Sequence, residues 1–224
     1  MCSRRSSNRS SRGARRVRRL VAAGGAALLV AATAHSGRAL VDETYMAGPC
    51  GSATAKAVLA PASETGTRLV VHGRVFAPDG ATPVPDVIVY AYQTDARGYY
   101  SERRGEPPRL RAWVRTDRDG RFTLETIRPA AYPGRTVPAH IHFQLWGRDR
   151  APQWNTELLF DDDPLVSERQ REESGALGTF AFVHRLDGRA GGFEVSHNIR
   201  LKPAGDSFEA GIMHGLEPCR AGAR

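Results

Sequence analysis

Tyr132, His140 and His142 stand within the dozen residues YPGRTVPAHIHF (132–143), with a proline and a glycine between the tyrosine and the histidines. Phenol oxygen and imidazole nitrogen are both metal donors, so the stretch is either a metal site or a polar-faced strand. In extended chain AHIHFQLW sends Ala139, Ile141, Phe143 and Leu145 to one face and His140, His142, Gln144 and Trp146 to the other. The two imidazoles therefore stand side by side, an arrangement that suits a pair of ligands and also a solvated polar face. Tyr132 sits among Pro129, Pro133, Gly134 and Pro138, which forbid regular structure and allow a loop to turn back over the following strand. Two more phenols, Tyr99 and Tyr100, follow a glycine turn at the end of an earlier apolar run. For each of these tyrosines the alternative is core or interface packing with the hydroxyl on a backbone carbonyl.

The elements that would position these residues are short. RLVVHGRVF, DVIVYAYQ, RAWVRTDRDGRFTLETI, AHIHFQLWG, TELLF, GTFAFVHRL and GFEVSHNIRL are β-like runs separated by turn residues. Asp119 and Gly120 fall between two alternating runs and predict a hairpin, because both central turn residues tolerate positive φ. Residues 167–176 (SERQREESGA) form at most a short helix, and ERRGEPPRLR (102–111) reads as a loop. No internal repeat and no long amphipathic helix is present, so the pattern predicts an all-β chain with a single β-sandwich of mostly antiparallel strands.

Three segments, VHGRVFAPDGATPVPDVIVYAYQTDARGYYS, RTDRDGRFTLETIRPAAYPGR and PAHIHFQL…TELLFDDDPL, together resemble the intradiol ring-cleavage dioxygenases, the catechol and protocatechuate 3,4-dioxygenase group. The likeness spans residues 68–165 in order. With Tyr92-Gln93 on the family's aromatic-Gln pair, the resemblance makes Tyr100 the first tyrosine ligand and Tyr99 its neighbour. Tyr132 matches the tyrosine of Pro-x-x-Tyr-Pro, and His140 and His142 match Pro-x-His-x-His-Phe. It implies a non-haem Fe(III) held by Tyr100, Tyr132, His140 and His142, since a hard trivalent ion favours phenolate oxygen. It further implies a catechol-type substrate that chelates the metal and displaces Tyr132, which then takes up a substrate proton. The same resemblance implies that dioxygen opens the ring between the hydroxylated carbons to a cis,cis-muconate-type diacid. Two positions depart from the family pattern: Val137 replaces an arginine and Glu157 replaces a glutamine, both near substrate in the family. Arg135, two residues before Val137, is the candidate replacement for the lost catalytic charge; a solvated loop arginine is the alternative.

The net charge of +8 belongs to the beginning of the chain. Nine arginines and no acidic residue precede residue 40, leaving the remainder near neutral, which argues against a nucleic-acid partner. Residues 1–39 run basic, apolar (20–34) and then small, the order of a secretory signal, and the apolar run is shorter than the ~20 residues of a stable membrane span. Arg15 and Arg16 resemble a twin-arginine export signal; an ordinary signal with an Arg-rich start is the alternative. Export to a periplasmic or extracellular space is expected. An N-terminal extension (40–66), the sandwich (67–205) and a C-terminal tail (206–224) follow. In an oxidising compartment Cys50 and Cys219 are expected to form a disulfide. The acidic run Asp161 to Asp163 before Pro164 reads as a solvated turn rather than a calcium site. His72, His184, His197 and His214 read as structural, and Trp113 and Trp146 as packing residues. The rival from another class is a secreted, non-catalytic transthyretin-like sandwich that binds aromatics or a partner; a second keeps the four ligands around zinc or copper. Homo-oligomerisation is left open.

Overall fold

The computed structural model describes residues 46–103, 105–148, 150–204 and 215–222. The expected export signal, the first residues of the extension, and His214 with the start of the tail lie outside them. Among the described residues no helix is long and apolar enough to cross a membrane.

Two five-stranded sheets form a sandwich. The first runs in the order β1 (Lys56–Val58), β5 (Arg121–Ile127), β2 (Arg68–Phe76), β10 (Gly192–Arg200), β9 (Asp187–Arg189). The second runs β4 (Leu110–Arg115), β3 (Ile88–Gln93), β6 (His140–Gly147), β7 (Arg150–Phe160), β8 (Val183–His184). Antiparallel pairing predominates, but β1 with β5, β2 with β10 and β7 with β8 are parallel, so both sheets are mixed. The only longer helix among the described residues is α2 (Glu168–Ala176); α1 (Gly48–Ser52) is a single turn. Ser167 and Gln170 cap α2 reciprocally, which explains how so polar a segment holds a helix.

Period-2 alternation builds the core. Leu69, Val71 and Val75 of β2 with Phe122 and Leu124 of β5 pack with Val89 and Ala91 of β3 and Ile141, Phe143 and Leu145 of β6. The other face of the second sheet is covered as well: Ile88, Tyr90, Tyr92 and Trp146 pack under Met46, Cys50, Leu216 and Cys219. All six residues of β3 are therefore buried. Cys50 and Cys219 are disulfide-bonded, with Cα atoms 5.3 Å apart, and tie the two covering segments together.

The Asp119-Gly120 hairpin is corrected. The local turn forms, with Gly120 at φ +74° and its N–H donating to the Asp117 carbonyl at 2.9 Å. But β4 and β5 belong to opposite sheets. Both runs have an apolar face, and Leu110, Ala112 and Val114 can meet Phe122 and Leu124 across the core only if the chain crosses from one sheet to the other. Turn chemistry is local and does not select the partner strand. The acidic run is corrected in part: Asp161 and Asp162 are exposed and pair with Arg171 and Arg128, whereas Asp163 is buried and accepts from the Ala139 N–H at 2.8 Å.

His197 is structural. It is buried against the Phe143 ring, centroids 5.0 Å apart, with Nδ1 3.0 Å from His184 Nε2. Burial, with the neighbouring His184 adding to it, pushes its pKa from 6.5 down to about 3. The unfolded chain then binds a proton that the fold refuses. The stability this neutral imidazole contributes is complete above pH 6.5 and is lost as pH falls towards 3, by on the order of 1 kcal/mol per pH unit. Urea midpoints measured between pH 7 and 4 should fall steeply, and His197→Phe should flatten that slope.

Candidate metal centre

β6 supplies both histidines. His140 opens the strand and His142 follows on the same face, opposite Tyr92 of β3 in register. The strand's entry is pinned by Asp163 on the Ala139 N–H. Tyr92 stacks on the His142 ring at 4.4 Å, and Trp154 of β7 meets it edge-on at 5.8 Å, so the imidazole is held in an aromatic slot.

The two tyrosines arrive on loops that are fastened to each other. Asp95 organises the first: its Oδ1 accepts from the backbone N–H groups of Arg97 at 2.9 Å and Tyr99 at 3.0 Å. Arg97 closes on its Oδ2 at 3.0 Å. Burial alone would raise the Asp95 pKa, but the Tyr99 and Arg97 hydrogen bonds outweigh it and hold the carboxyl below its usual range. The Ala130 N–H donates to the Asp95 carbonyl at 3.1 Å, and Thr94 Oγ1 donates to the Ala130 carbonyl at 2.7 Å, joining the Tyr132 loop to the Tyr100 loop. Gly98, at φ +87°, lies where a Cβ would collide with the Ala131 carbonyl oxygen, so only glycine permits this approach.

Four donor atoms converge as a result. Tyr100 Oη lies 2.6 Å from His142 Nε2 and 3.4 Å from His140 Nε2, and is in short contact with Tyr132 Oη. Tyr132 Oη lies 3.0 Å from His140 Nε2, and the two Nε2 atoms are 2.9 Å apart. The outer nitrogens are committed elsewhere. His140 Nδ1 donates to the Pro138 carbonyl at 2.7 Å, which leaves Nε2 as a lone pair. His142 Nδ1 faces Glu157 Oε1 at 2.8 Å, off the line of a straight hydrogen bond. Two phenol protons must then serve five close contacts. Burial, reinforced for Tyr100 by the bond to Tyr132, raises both phenol pKa values. Burial, with His142 adding to it, lowers that of His140 and keeps it neutral. Crowded lone pairs on two oxygens and two nitrogens form a donor set that fits a cation, and a hard one would offset the cost of ionising buried phenols.

Glu157 owes its position to an irregularity of β7. Ile141 pairs with Leu158 and Phe143 with Asn155, so Thr156 and Glu157 together oppose His142. Such a bulge re-aims a side chain, here a carboxylate onto the imidazole. Burial raises the Glu157 pKa, but contact with His142 outweighs it and the carboxyl is held down as an anion. Glu157→Ala is expected to weaken metal binding by roughly 10- to 100-fold, and Glu157→Gln by less, as chelator competition would measure.

The other residues singled out lie at the rim. Arg135 and Val137 are exposed on the turn after Tyr132, in which the Arg135 N–H donates to the Tyr132 carbonyl at 3.1 Å and Gly134 takes φ +67°. The Arg135 charge reaches Tyr132 and partly offsets the effect of burial. Tyr99 points outward, half exposed. Beside the phenols opens a cleft of about 410 Å³ lined by Tyr92, Tyr100, Tyr132, His142, Glu106, Pro107 and Pro108. Tyr92, Asp95 and Asp163 were not among the sequence-derived site residues. Strand alternation places Tyr92 on one face of β3, but its meeting with His142 depends on the pairing of β3 with β6.

The family model described as Dioxygenase matches residues 43–203. The protocatechuate 3,4-dioxygenase beta chain of Burkholderia cepacia is 33% identical over 178 residues, 70% of this chain and 74% of that one. Catechol 1,2-dioxygenase 1 of Acinetobacter lwoffii is 31% identical over 118 residues, of which this chain spans 37% of the relative's length. Among solved structures, the dioxygenase domain of a dioxygenase and carbohydrate-binding fusion from Streptomyces sp. SirexAA-E superposes with a TM-score of 0.52 at 27% identity, covering 68% of this chain and 90% of that one. The 3-chlorocatechol 1,2-dioxygenase of Rhodococcus opacus 1CP superposes at 0.51 with 25% identity, covering 66% of each chain. The mixed β-sandwich, the donor cluster at the loop end of β6 and these likenesses lead to one assignment: the chain belongs to the intradiol ring-cleavage dioxygenase family.

Proposed function

We propose that the protein opens a catechol-type aromatic ring between its two hydroxylated carbons with dioxygen, using a non-haem Fe(III) held by Tyr100, Tyr132, His140 and His142. The observation that carries the proposal is the convergence of two phenol oxygens and two Nε2 lone pairs whose contacts outnumber their protons. Ferric iron, when bound, supplies Lewis acidity to the phenolates and to a chelating diol. The chain's own residues do the rest. Pro107, Pro108 and Tyr92 provide an apolar wall for a flat ring. Tyr132, on a loop broken by Pro133 and Gly134, is the phenol placed to leave the cluster and accept a substrate proton, while Tyr100 stays fixed under the Asp95 turn. Both oxygen atoms of dioxygen enter the diacid product, so the reaction balances without an external reductant.

The disulfide joining Cys50 and Cys219 supports the further reading that the protein works outside the reducing cytosol, consistent with export of the chain by its basic, apolar leader.

The test is oxygen uptake and ring-opened diacid from catechol, protocatechuate and hydroxyquinol on iron-replete protein, with about one iron per chain expected. Diacid from at least one substrate is the expected result. Absence of product from all three, despite bound Fe(III) and a catechol-induced spectral shift, would favour a binding protein. Arg135→Ala should lower kcat by less than ~10-fold, because an exposed charge is screened by solvent. A loss nearer the ~10² to 10³ typical of a preorganised charge would place Arg135 inside the site during turnover.

A further inference from the structure

A second cavity, of about 450 Å³, lies where β7 and β10 meet at the sandwich margin, closed by the turn at 177–180 and by residues 201–203. It shares no lining residue with the cleft beside the tyrosines. Its wall is apolar on one side, formed by Leu177 and Phe180. Arg200 and Lys202 bring two positive charges to it, and among the described residues no acidic side chain lines it. The Arg200 guanidinium lies 5.2 Å over the Phe180 ring, so charge and aromatic surface are adjacent. Asn198, held by its side-chain N–H on the Thr179 carbonyl at 3.2 Å, adds a fixed amide. His197, only 1% exposed, backs the lining as a structural group, its Nε2 turned to the Thr156 backbone and closed to solvent. Cationic groups set beside an aromatic ring on the wall of a cavity are the feature that points to an occupant.

We propose that this cavity is a binding site for a small organic anion with an apolar ring, of the aromatic carboxylate class. The carboxylate goes to Arg200 and Lys202, the ring lies against Phe180 and Leu177, and the Asn198 amide orients the molecule. Such a division, mostly apolar wall with a few convergent polar groups, is how small-ligand pockets obtain both affinity and orientation. The proposal is independent of the metal-site reading, because nothing in it passes through Tyr100, Tyr132, His140 or His142.

The experiment titrates benzoate, with benzamide as the neutral control, into the full disulfide-bonded protein by calorimetry. Four forms are compared: wild type, Lys202→Gln, Arg200→Gln with Lys202→Gln, and Tyr132→Phe. Benzoate should bind wild type at least tenfold more tightly than benzamide. The double variant should raise the benzoate Kd tenfold or more, the exposed Lys202→Gln should raise it less while leaving the thermal midpoint unchanged, and Tyr132→Phe should change Kd by less than twofold. Equal affinity for wild type and both groove variants would overturn the proposal. So would loss of binding in Tyr132→Phe, which would place benzoate in the cleft, or the absence of any benzoate heat at millimolar concentration.

Discussion

His142→Ala protein is expected to take up little of the proposed iron and to stay colourless while keeping its fold. Nε2 of His142 sits 2.6 Å from Tyr100 Oη and 2.9 Å from His140 Nε2, so its removal leaves three donors and an open side towards the cleft. The affinity loss should exceed the roughly 100-fold that follows from losing a residue that only orients a ligand. Tyr100→Phe should act similarly, because it deletes the oxygen common to most of the close contacts and removes one of two anionic donors. Tyr132→Phe should be milder on iron content and severe on turnover, since its phenol is the one assigned to exchange with substrate. Metal analysis and the visible tyrosinate-to-iron absorption, measured after anaerobic Fe(II) loading and reoxidation, separate the three. Wild-type protein that stays iron-free and colourless through that procedure would sink the ligand assignment, whatever the variants do.

The second large effect concerns stability. Cys50 and Cys219 are separated by 169 residues, and a cross-link closing so long a loop removes chain entropy worth about 5 kcal/mol from the unfolded state. The bond also holds α1 and the turn at Glu217–Cys219 over the outer face of β3 and β6, where Tyr90 and Trp146 are fully buried. Further contacts reinforce that cover: the Ala47 N–H donates to the Cys219 carbonyl at 2.9 Å, Trp113 Nε1 to the Gly215 carbonyl at 2.8 Å, and Arg115 to the Cys50 carbonyl at 2.6 Å. Cys50→Ser with Cys219→Ser should lower the thermal midpoint by on the order of 10 °C. Reduction of wild type should reproduce the loss, and tryptophan fluorescence should report exposure of the covered face. A midpoint indifferent to reduction would show that these contacts hold the cover without the bond.

Much of the site is local and therefore legible in the chain. Two histidines with one residue between them on a strand must share a face, because the side-chain period is two. That holds wherever the strand goes, and His140 and His142 obey it. Pro129, Pro133, Gly134 and Pro138 exclude helix and strand around Tyr132 by backbone sterics alone, and the resemblance of the flanking motifs picks out Tyr100. Burial of both faces of β3 is consistent with its nearly continuous apolar run, IVYAYQ.

What the tertiary structure decided are relations between distant segments. Asp119-Gly120 dictates a tight turn but not a hairpin, because the sheet each flanking strand joins depends on where its apolar face finds a partner. Tyr92 stacks on His142 only through the register of β3 on β6. Glu157 reaches the same imidazole only through the bulge in β7, a mismatch of two residues against one that exists nowhere in either strand alone. Gly98 is needed because the Ala131 carbonyl lies against it, and Asp163 is buried because the Ala139 N–H needs an acceptor there. Composition and periodicity act over a few residues, whereas donor convergence to within hydrogen-bonding distance is set by sheet pairing and loop closure between segments far apart in the chain.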